Sequence, residues 1–138
     1  PAGYRGEGVF DNFWKLIAAW RATWIITVPT ALSALMQRRL DADVSSLRGA
    51  LFGSAPLSVE LFNRFEGAAG LTVIEGYGLT EATCLVSGNP LNGEKKIGSV
   101  GLPLPYSRVR ILKLDAEGAL LGECGTDEVG EICVRSPG

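Results

Sequence analysis

An α/β fold, built from parallel strand-and-helix units and followed by a β-rich part, is predicted by three observations. Before residue 86, short β-branched or aromatic runs alternate with segments whose apolar residues recur at helical spacing. Glycine and proline stand at the ends of those runs, where strand must turn into helix. From about residue 87 the pattern changes to Gly, Pro and Asn punctuation around short alternating strands. The boundaries expected on this basis are 1–86 for an α/β part and 87–138 for a β-rich part.

The elements follow in order. Over 9–21 the residues Phe10, Phe13, Trp14, Ile17 and Ala18 form a helical stripe, with Asp11 as the expected cap. Residues 23–28 read as a buried strand, and Pro29 with Thr30 starts a helix carrying Leu32, Leu35, Met36 and Leu40. Residues 48–52 read as a second strand, and 53–56 as a tight loop. Ser58 is placed to cap a helix whose apolar face is Leu61, Phe62 and Phe65. Residues 71–75 make a third strand, ended by Gly76 and Gly78 and followed by a helical start over 79–82. Three such units in succession predict a parallel sheet. In the second part, 107–114 and 131–135 read as strands. Val109, Ile111 and Leu114 would form a buried face and Arg108, Arg110 and Lys113 a wet one, in a small antiparallel barrel or sheet.

Composition narrows the function classes. The chain has 138 residues, 46% of them apolar, which is enough for a real core. A formal net charge of -2 and the lack of a basic run argue against a nucleic-acid partner. The absence of histidine removes the usual neutral-pH base and the Ser-His and Cys-His nucleophile arrangements. Three scattered cysteines support neither a zinc site nor a disulfide framework, and a cytoplasmic location is expected. Cys84 and Cys133 are read as small buried hydrophobes. Trp14, Trp20 and Trp24 are read as core or interdomain packing, and Lys95 and Lys96 as a solvated loop. The most apolar stretch, 22–36, contains Pro29 and falls short of the roughly 18 to 20 residues of a membrane span.

In open α/β sheets ligands bind beyond the carboxyl ends of the strands. Three loops qualify: Val28-Pro29-Thr30, Gly53-Ser54-Ala55-Pro56, and Glu75-Gly76-Tyr77-Gly78-Leu79-Thr80-Glu81. In the last, a ring between two glycines is free to stack on a base, Thr80 can donate to a phosphate, and Glu81 can serve magnesium. Each residue also has a plainer reading. Tyr77 can be a turn aromatic, the glycines can merely permit the turn, Glu81 can favour a helix start, and Pro29 with Thr30 can simply initiate a helix. The ordered string at a strand end, about twenty residues after a second Gly-containing strand end, favours the nucleotide reading.

These motifs resemble those of the adenylate-forming superfamily, which includes acyl-CoA synthetases, luciferases and amino-acid adenylation domains. Its Tyr-Gly-x-Thr-Glu motif is matched by Tyr77-Gly78-Leu79-Thr80-Glu81. Its Gly-Ala-Pro loop is similar to Gly53-Ser54-Ala55-Pro56, with Ser54 where many members have a second glycine. Gly98-Ser99-Val100-Gly101-Leu102-Pro103 looks like its Gly-x-x-Gly-x-Pro turn, and Gly130-Glu131-Ile132 with Arg135 to Gly138 resembles a further signature. The likeness covers nearly the whole chain.

The resemblance implies the N-terminal domain of an acyl-CoA synthetase, its parallel units followed by part of its barrel subdomain. By the resemblance, Tyr77 would stack on adenine, the 53–56 backbone would cover the other face of the base, and Glu75, Gly76, Gly78 and Leu79 would complete the nucleotide site. Thr80 would touch phosphate, and Glu81 would bind Mg2+ and act with Thr80 in catalysis. Val28, Pro29 and Thr30 would begin the acyl pocket. The implied substrates are a carboxylic acid, ATP and coenzyme A, by way of an acyl-adenylate and release of pyrophosphate, in fatty-acid metabolism. No phosphate loop with its lysine, ribose-binding aspartate, hinge or C-terminal lysine is found in this chain. The expectation is therefore an internal fragment, inactive alone and prone to self-association. An amino-acid adenylation fragment and a non-catalytic nucleotide-binding or scaffold remnant are the alternatives. The lack of an acidic residue over 24–36 favours an aliphatic or aromatic acid over an amino acid.

Overall fold

A computed structural model describes residues 3–137. Two open sheets organise the described residues, one of five strands that carries the three α-helices found there and one of three strands.

The parallel half of the first sheet follows from the apolar runs. Strands β1 (Trp24–Thr27), β2 (Gly49–Phe52) and β3 (Thr72–Leu79) pair in parallel, with Ile25, Ala50 and Val73 side by side in register. Because side chains alternate along a strand, these three residues face one way, and all are buried. Helices α1 (Phe13–Trp20), α2 (Pro29–Leu35) and α3 (Val59–Ala69) cover that face. They contribute Trp14, Ile17, Leu32, Leu35, Phe62 and Phe65 to one core. Phe65 meets Phe52 edge-on at 5.6 Å and stacks on Trp14 at 6.4 Å.

Helix ends are chemically specified. The Ser58 hydroxyl accepts from the Leu61 amide at 3.2 Å, as the sequence predicts, and Gly70 closes α3 at φ 62°. Pro29 occupies the first turn of α2, where its missing N–H costs nothing. Asp11, the expected cap of α1, is not one: the helix starts after Asn12, and Asp11 instead accepts from Arg38 Nε at 3.0 Å. That bond ties the segment before α1 to the segment after α2. Leu40 lies beyond α2 but still packs against the core.

The third strand departs from the sequence pattern. Instead of stopping at Glu75, β3 runs through the glycine-rich string to Leu79 and turns through one 3-10 turn, Thr80–Ala82. It then pairs antiparallel with β4 (Cys84–Gly88), with a register shift between Tyr77 and Gly78. The expected third strand-to-helix unit is thus a hairpin. Gly76 and Gly78 let the two strands approach; a Cβ on Gly78 would overlap the Cys84 carbonyl. Strand β4 runs across residue 87, and β5 (Leu102–Pro103) pairs with it, so the first sheet extends to residue 103.

Polar residues pin the intervening loop to this sheet. The buried Glu75 carboxylate accepts from the Gly98 amide at 2.8 Å, Asn89 Nδ2 donates to the Ser99 carbonyl at 2.6 Å, and Ser87 Oγ donates to the Val100 carbonyl at 2.9 Å. Lys95 is not simply solvated: it pairs with Glu66 at 3.0 Å and lies over the Phe62 ring.

Strand β6 (Arg108–Leu114) pairs with β7 (Leu120–Glu123) and β8 (Glu131–Arg135) as an open antiparallel sheet rather than a barrel. Val109 and Ile111 are half-buried, and Leu114, expected inside, is exposed after a register shift at Lys113. No layer among the described residues covers that sheet as the helices cover the first. The side chain of Asp115 fixes the β6–β7 turn by accepting from the Glu117 and Ala119 amides. Tryptophan placement is also mixed: Trp14 is core, but Trp20 is 82% exposed and Trp24 lies across Gly49 on the uncovered face of the sheet. Among the described residues no helix is long and apolar enough to cross a membrane.

Candidate functional site

A cleft of about 750 Å³ opens at the carboxyl ends of the three parallel strands. Strand β1 delivers Ile26, Thr27 and Val28; β2 delivers Leu51, Phe52, Gly53 and Ser54; β3 and its turn deliver Gly76, Gly78, Leu79 and Thr80. The far strand of the hairpin closes it with Thr83, Cys84 and Leu85, and Tyr4 stands on the rim. This is the position at which a parallel sheet offers backbone N–H groups and an unfilled crevice.

Glycines make the crevice possible. A Cβ on Gly53 would sit 3.3 Å from the Gly76 carbonyl, and one on Gly76 would press on Leu51, Leu85 and the Ser87 carbonyl. The two glycine-bearing loops therefore touch. Ser54 holds φ 67°, a left-handed geometry that disfavours any residue with a Cβ. Thr83 and Cys84 hold φ 54° and 81° in succession, so the hairpin end is built from backbone shapes that open helix or strand would not supply.

Of the residues singled out in the sequence, Val28, Gly53, Ser54, Gly76, Gly78, Leu79 and Thr80 line the cleft together. Pro29, Thr30, Ala55, Pro56, Glu75, Tyr77 and Glu81 do not. Pro29 and Thr30 occupy the first turn of α2. Ala55 and Pro56 are exposed just past Ser54. Glu75 is buried and holds the Gly98 amide, a structural task the sequence did not suggest. Tyr77 is half-buried and follows Gly76 along the strand, so alternation sends its ring to the side opposite the glycine-lined crevice. Thr80 and Glu81 sit in a 3-10 turn of three residues, too short to supply the helix dipole expected at a helix start. Glu81 is exposed and has no partner among the described residues.

Several lining residues carried no motif. Ile26, Thr27, Leu51, Phe52 and Leu85 are ordinary strand residues, legible only once the sheet order is known. Cys84, read from its apolar neighbours as a buried hydrophobe, is exposed in the cleft, because the hairpin turns at Thr83 and swings it outward. Among the described residues no Asp, Glu, Lys or Arg lines the cleft, so the walls they form carry no formal charge. Among the described residues no three metal-ligating side chains cluster. That arrangement does not forbid magnesium, which takes one or two protein carboxylates and fills the rest of its shell with water and substrate phosphate. An unpaired carboxylate at Glu81, one residue from the cleft-lining Thr80, fits that donor set.

The family described as AMP-binding enzyme matches residues 4–138. Among curated proteins the chain is 32% identical over 136 residues to marinolic acid–CoA ligase of Pseudoalteromonas sp. (strain SANK 73390), covering 98% of this chain and 21% of that protein. It is 35% identical over 135 residues to oxalate–CoA ligase of Arabidopsis thaliana, covering 91% of this chain and 24% of that protein. Among solved structures it resembles ATP-bound MatB from Rhodopseudomonas palustris, with TM-score 0.79, 30% identity, and coverage of 93% of this chain and 24% of that one. The anthranilate CoA ligase AuaEII in complex with anthranoyl-AMP is similar at TM-score 0.78 and 27% identity, with 94% of this chain and 24% of that one covered. The chain thus spans between a fifth and a quarter of the length of these relatives.

Proposed function

The chain belongs to the AMP-binding enzyme family, and on that premise we propose that it is an internal part of an ATP-dependent acyl-CoA synthetase. The parent would convert a carboxylic acid and ATP to an acyl-adenylate and pyrophosphate, then transfer the acyl group to coenzyme A. The observation that carries this reading is the meeting of the Gly53-Ser54 loop with the Gly76-to-Thr80 hairpin at the strand ends. It is supported by the CoA-ligase relatives and by the structural likeness to enzymes holding ATP or an acyl-adenylate.

In this proposal the adenylate straddles the edge of β3. The adenine lies on the Tyr77 side against the 53–56 backbone, the phosphate reaches Thr80, and the acyl body enters the neutral cleft beside Val28. The assigned residues are thus Gly53, Ser54, Ala55, Pro56, Glu75, Gly76, Tyr77, Gly78, Leu79 and Thr80 for the nucleotide, and Val28, Pro29 and Thr30 for the acyl end. Glu75 serves indirectly, by fixing the strand. Glu81 would hold Mg2+, whose charge would offset that developing on the phosphates. The uncharged wall favours an apolar acid over an amino acid, whose ammonium group would need a buried counter-charge.

We place the parent in the cytoplasm, in keeping with three unpaired cysteines. The chain alone holds no lysine or arginine in the cleft to clamp the ATP tail, so adenylate formation by the isolated chain should be undetectable. The test is to introduce Thr80→Ala and Glu81→Gln into the full-length protein and assay acid-dependent pyrophosphate release. Losses of about a hundredfold or more are expected if the Thr80 hydroxyl donates to the phosphate and Glu81 holds the ion that offsets its developing charge. Rates within a factor of two of wild type would remove them from the chemistry.

A further inference from the structure

We propose that the outer end of the second sheet is an anion-binding site that takes a phosphate group between Arg108 and Arg135. The two arginines are direct register partners across the β6–β8 pair, so their side chains leave the same face at the same level. Like charges placed directly opposite one another are destabilising, a cost that water reduces for these two exposed side chains and that an anion held between them would remove. The other cations of these strands are answered by carboxylates: Arg110 lies 4.0 Å from Glu123, and Lys113 lies 2.7 Å from Glu128. Arg108 and Arg135 have no acid partner among the described residues.

A separate pocket of about 320 Å³ lies between them, lined by Tyr106, Arg108, Arg135, Ser136 and Pro137. None of these residues is acidic, and none lines the cleft of the first sheet. Tyr106 is 89% exposed and holds φ 68°, so the backbone carries an aromatic ring outward at the pocket mouth in a shape unfavourable to it. Two planar guanidinium forks accept a tetrahedral phosphate by paired N–H···O bonds, which a lone surface lysine cannot do. The ring beside them offers a flat face to a heteroaromatic group attached to that phosphate. The class of ligand is therefore a phosphate, alone or as the end of a nucleotide.

The experiment uses inorganic phosphate as the probe, against chloride at equal ionic strength, on the 138-residue chain. Thermal midpoints and the Nε–Hε NMR signals of the arginines are read for wild type, Arg108→Glu and Arg135→Gln. Phosphate should raise the wild-type midpoint and shift the Arg108 and Arg135 signals while leaving Arg110 nearly still. Arg135→Gln should weaken the apparent affinity about tenfold, as loss of one charge-assisted contact implies. Arg108→Glu should raise the midpoint in chloride, by replacing repulsion with a cross-strand ion pair, and abolish the phosphate response. A wild-type chain indifferent to phosphate, or an equal response in Arg108→Glu, overturns the proposal. Because no adenylate is used, the outcome is independent of the synthetase assignment.

Discussion

Gly78 admits no side chain, since a Cβ there would collide with the Cys84 carbonyl across the hairpin. Gly78→Ala should therefore destabilise the chain by about 1–3 kcal/mol, as overpacking does, and broaden the amide signals of Thr80 to Leu85. A melting midpoint equal to wild type would show that the hairpin can open without loss. The glycines were legible in the sequence as a pair flanking Tyr77; that they serve strand approach and not a strand stop was not, because the partner strand β4 has no motif. Glu75 makes the same point. Its place in the motif-bearing string points to the nucleotide site; the further task of its buried carboxylate, accepting from the Gly98 amide at 2.8 Å, has no signal in the local sequence. Glu75→Ala should leave that amide unpaired and speed its hydrogen exchange, with a stability loss of about 1–3 kcal/mol. Unchanged exchange at Gly98 would count against the bond.

At the scale of elements, helices were the most readable parts, since Phe62, Phe65 and the Ser58 cap announce α3 by spacing and chemistry alone. The turn from β3 into β4 was the least, because a Thr-Glu pair after a strand is equally compatible with a helix start and a hairpin turn. The hydrogen bond from Lys113 is the main cause that holds the Glu128 carboxyl below its ordinary range, and the Gly125 amide adds to it. The same bond raises the Lys113 ammonium above its ordinary range. A carboxyl depressed in the folded state contributes stability above its unfolded pKa and loses it as pH falls through the folded value. A raised ammonium contributes below its unfolded pKa and loses it as pH climbs through the folded value. The contact between β6 and the connection from β7 to β8 should therefore loosen first below the ordinary glutamate range and again above the ordinary lysine range, by amounts that are small because both groups are exposed. Hydrogen exchange at Leu112 to Leu114 against pH, in wild type and Glu128→Gln, checks this; identical profiles would refute it.

Across the whole molecule, the helix-covered face of the first sheet is closed and its other face is not. Ile26 is 77% exposed, Trp24 is partly exposed, Leu121 on the second sheet is 68% exposed, and Val129 in the connection before β8 is 97% exposed. Apolar surface of this kind drives association. The chain should form dimers or larger species as its concentration rises in sedimentation experiments, and a clean monomer throughout would contradict that. The α/β class and the parallel order of β1 to β3 followed from periodicity and from the loops at strand ends. The membership of β4 and β5 in that sheet, and the open form of the second, did not, because long-range pairing leaves little trace in short polar-flanked strands.

In the proposed function the Gly53 and Gly76 loops build an adenylate site at the ends of the parallel strands. Its most direct test is an NMR titration of the chain with a non-hydrolysable acyl-adenylate, in wild type and Tyr77→Ala. Shifts centred on Gly53, Ser54, Gly76, Gly78 and Thr80 are expected, with weakening in the variant by about 1–3 kcal/mol, the worth of one stacked base. A folded chain that shows no shifts at those residues with millimolar ligand, or binds equally without the Tyr77 ring, would contradict it.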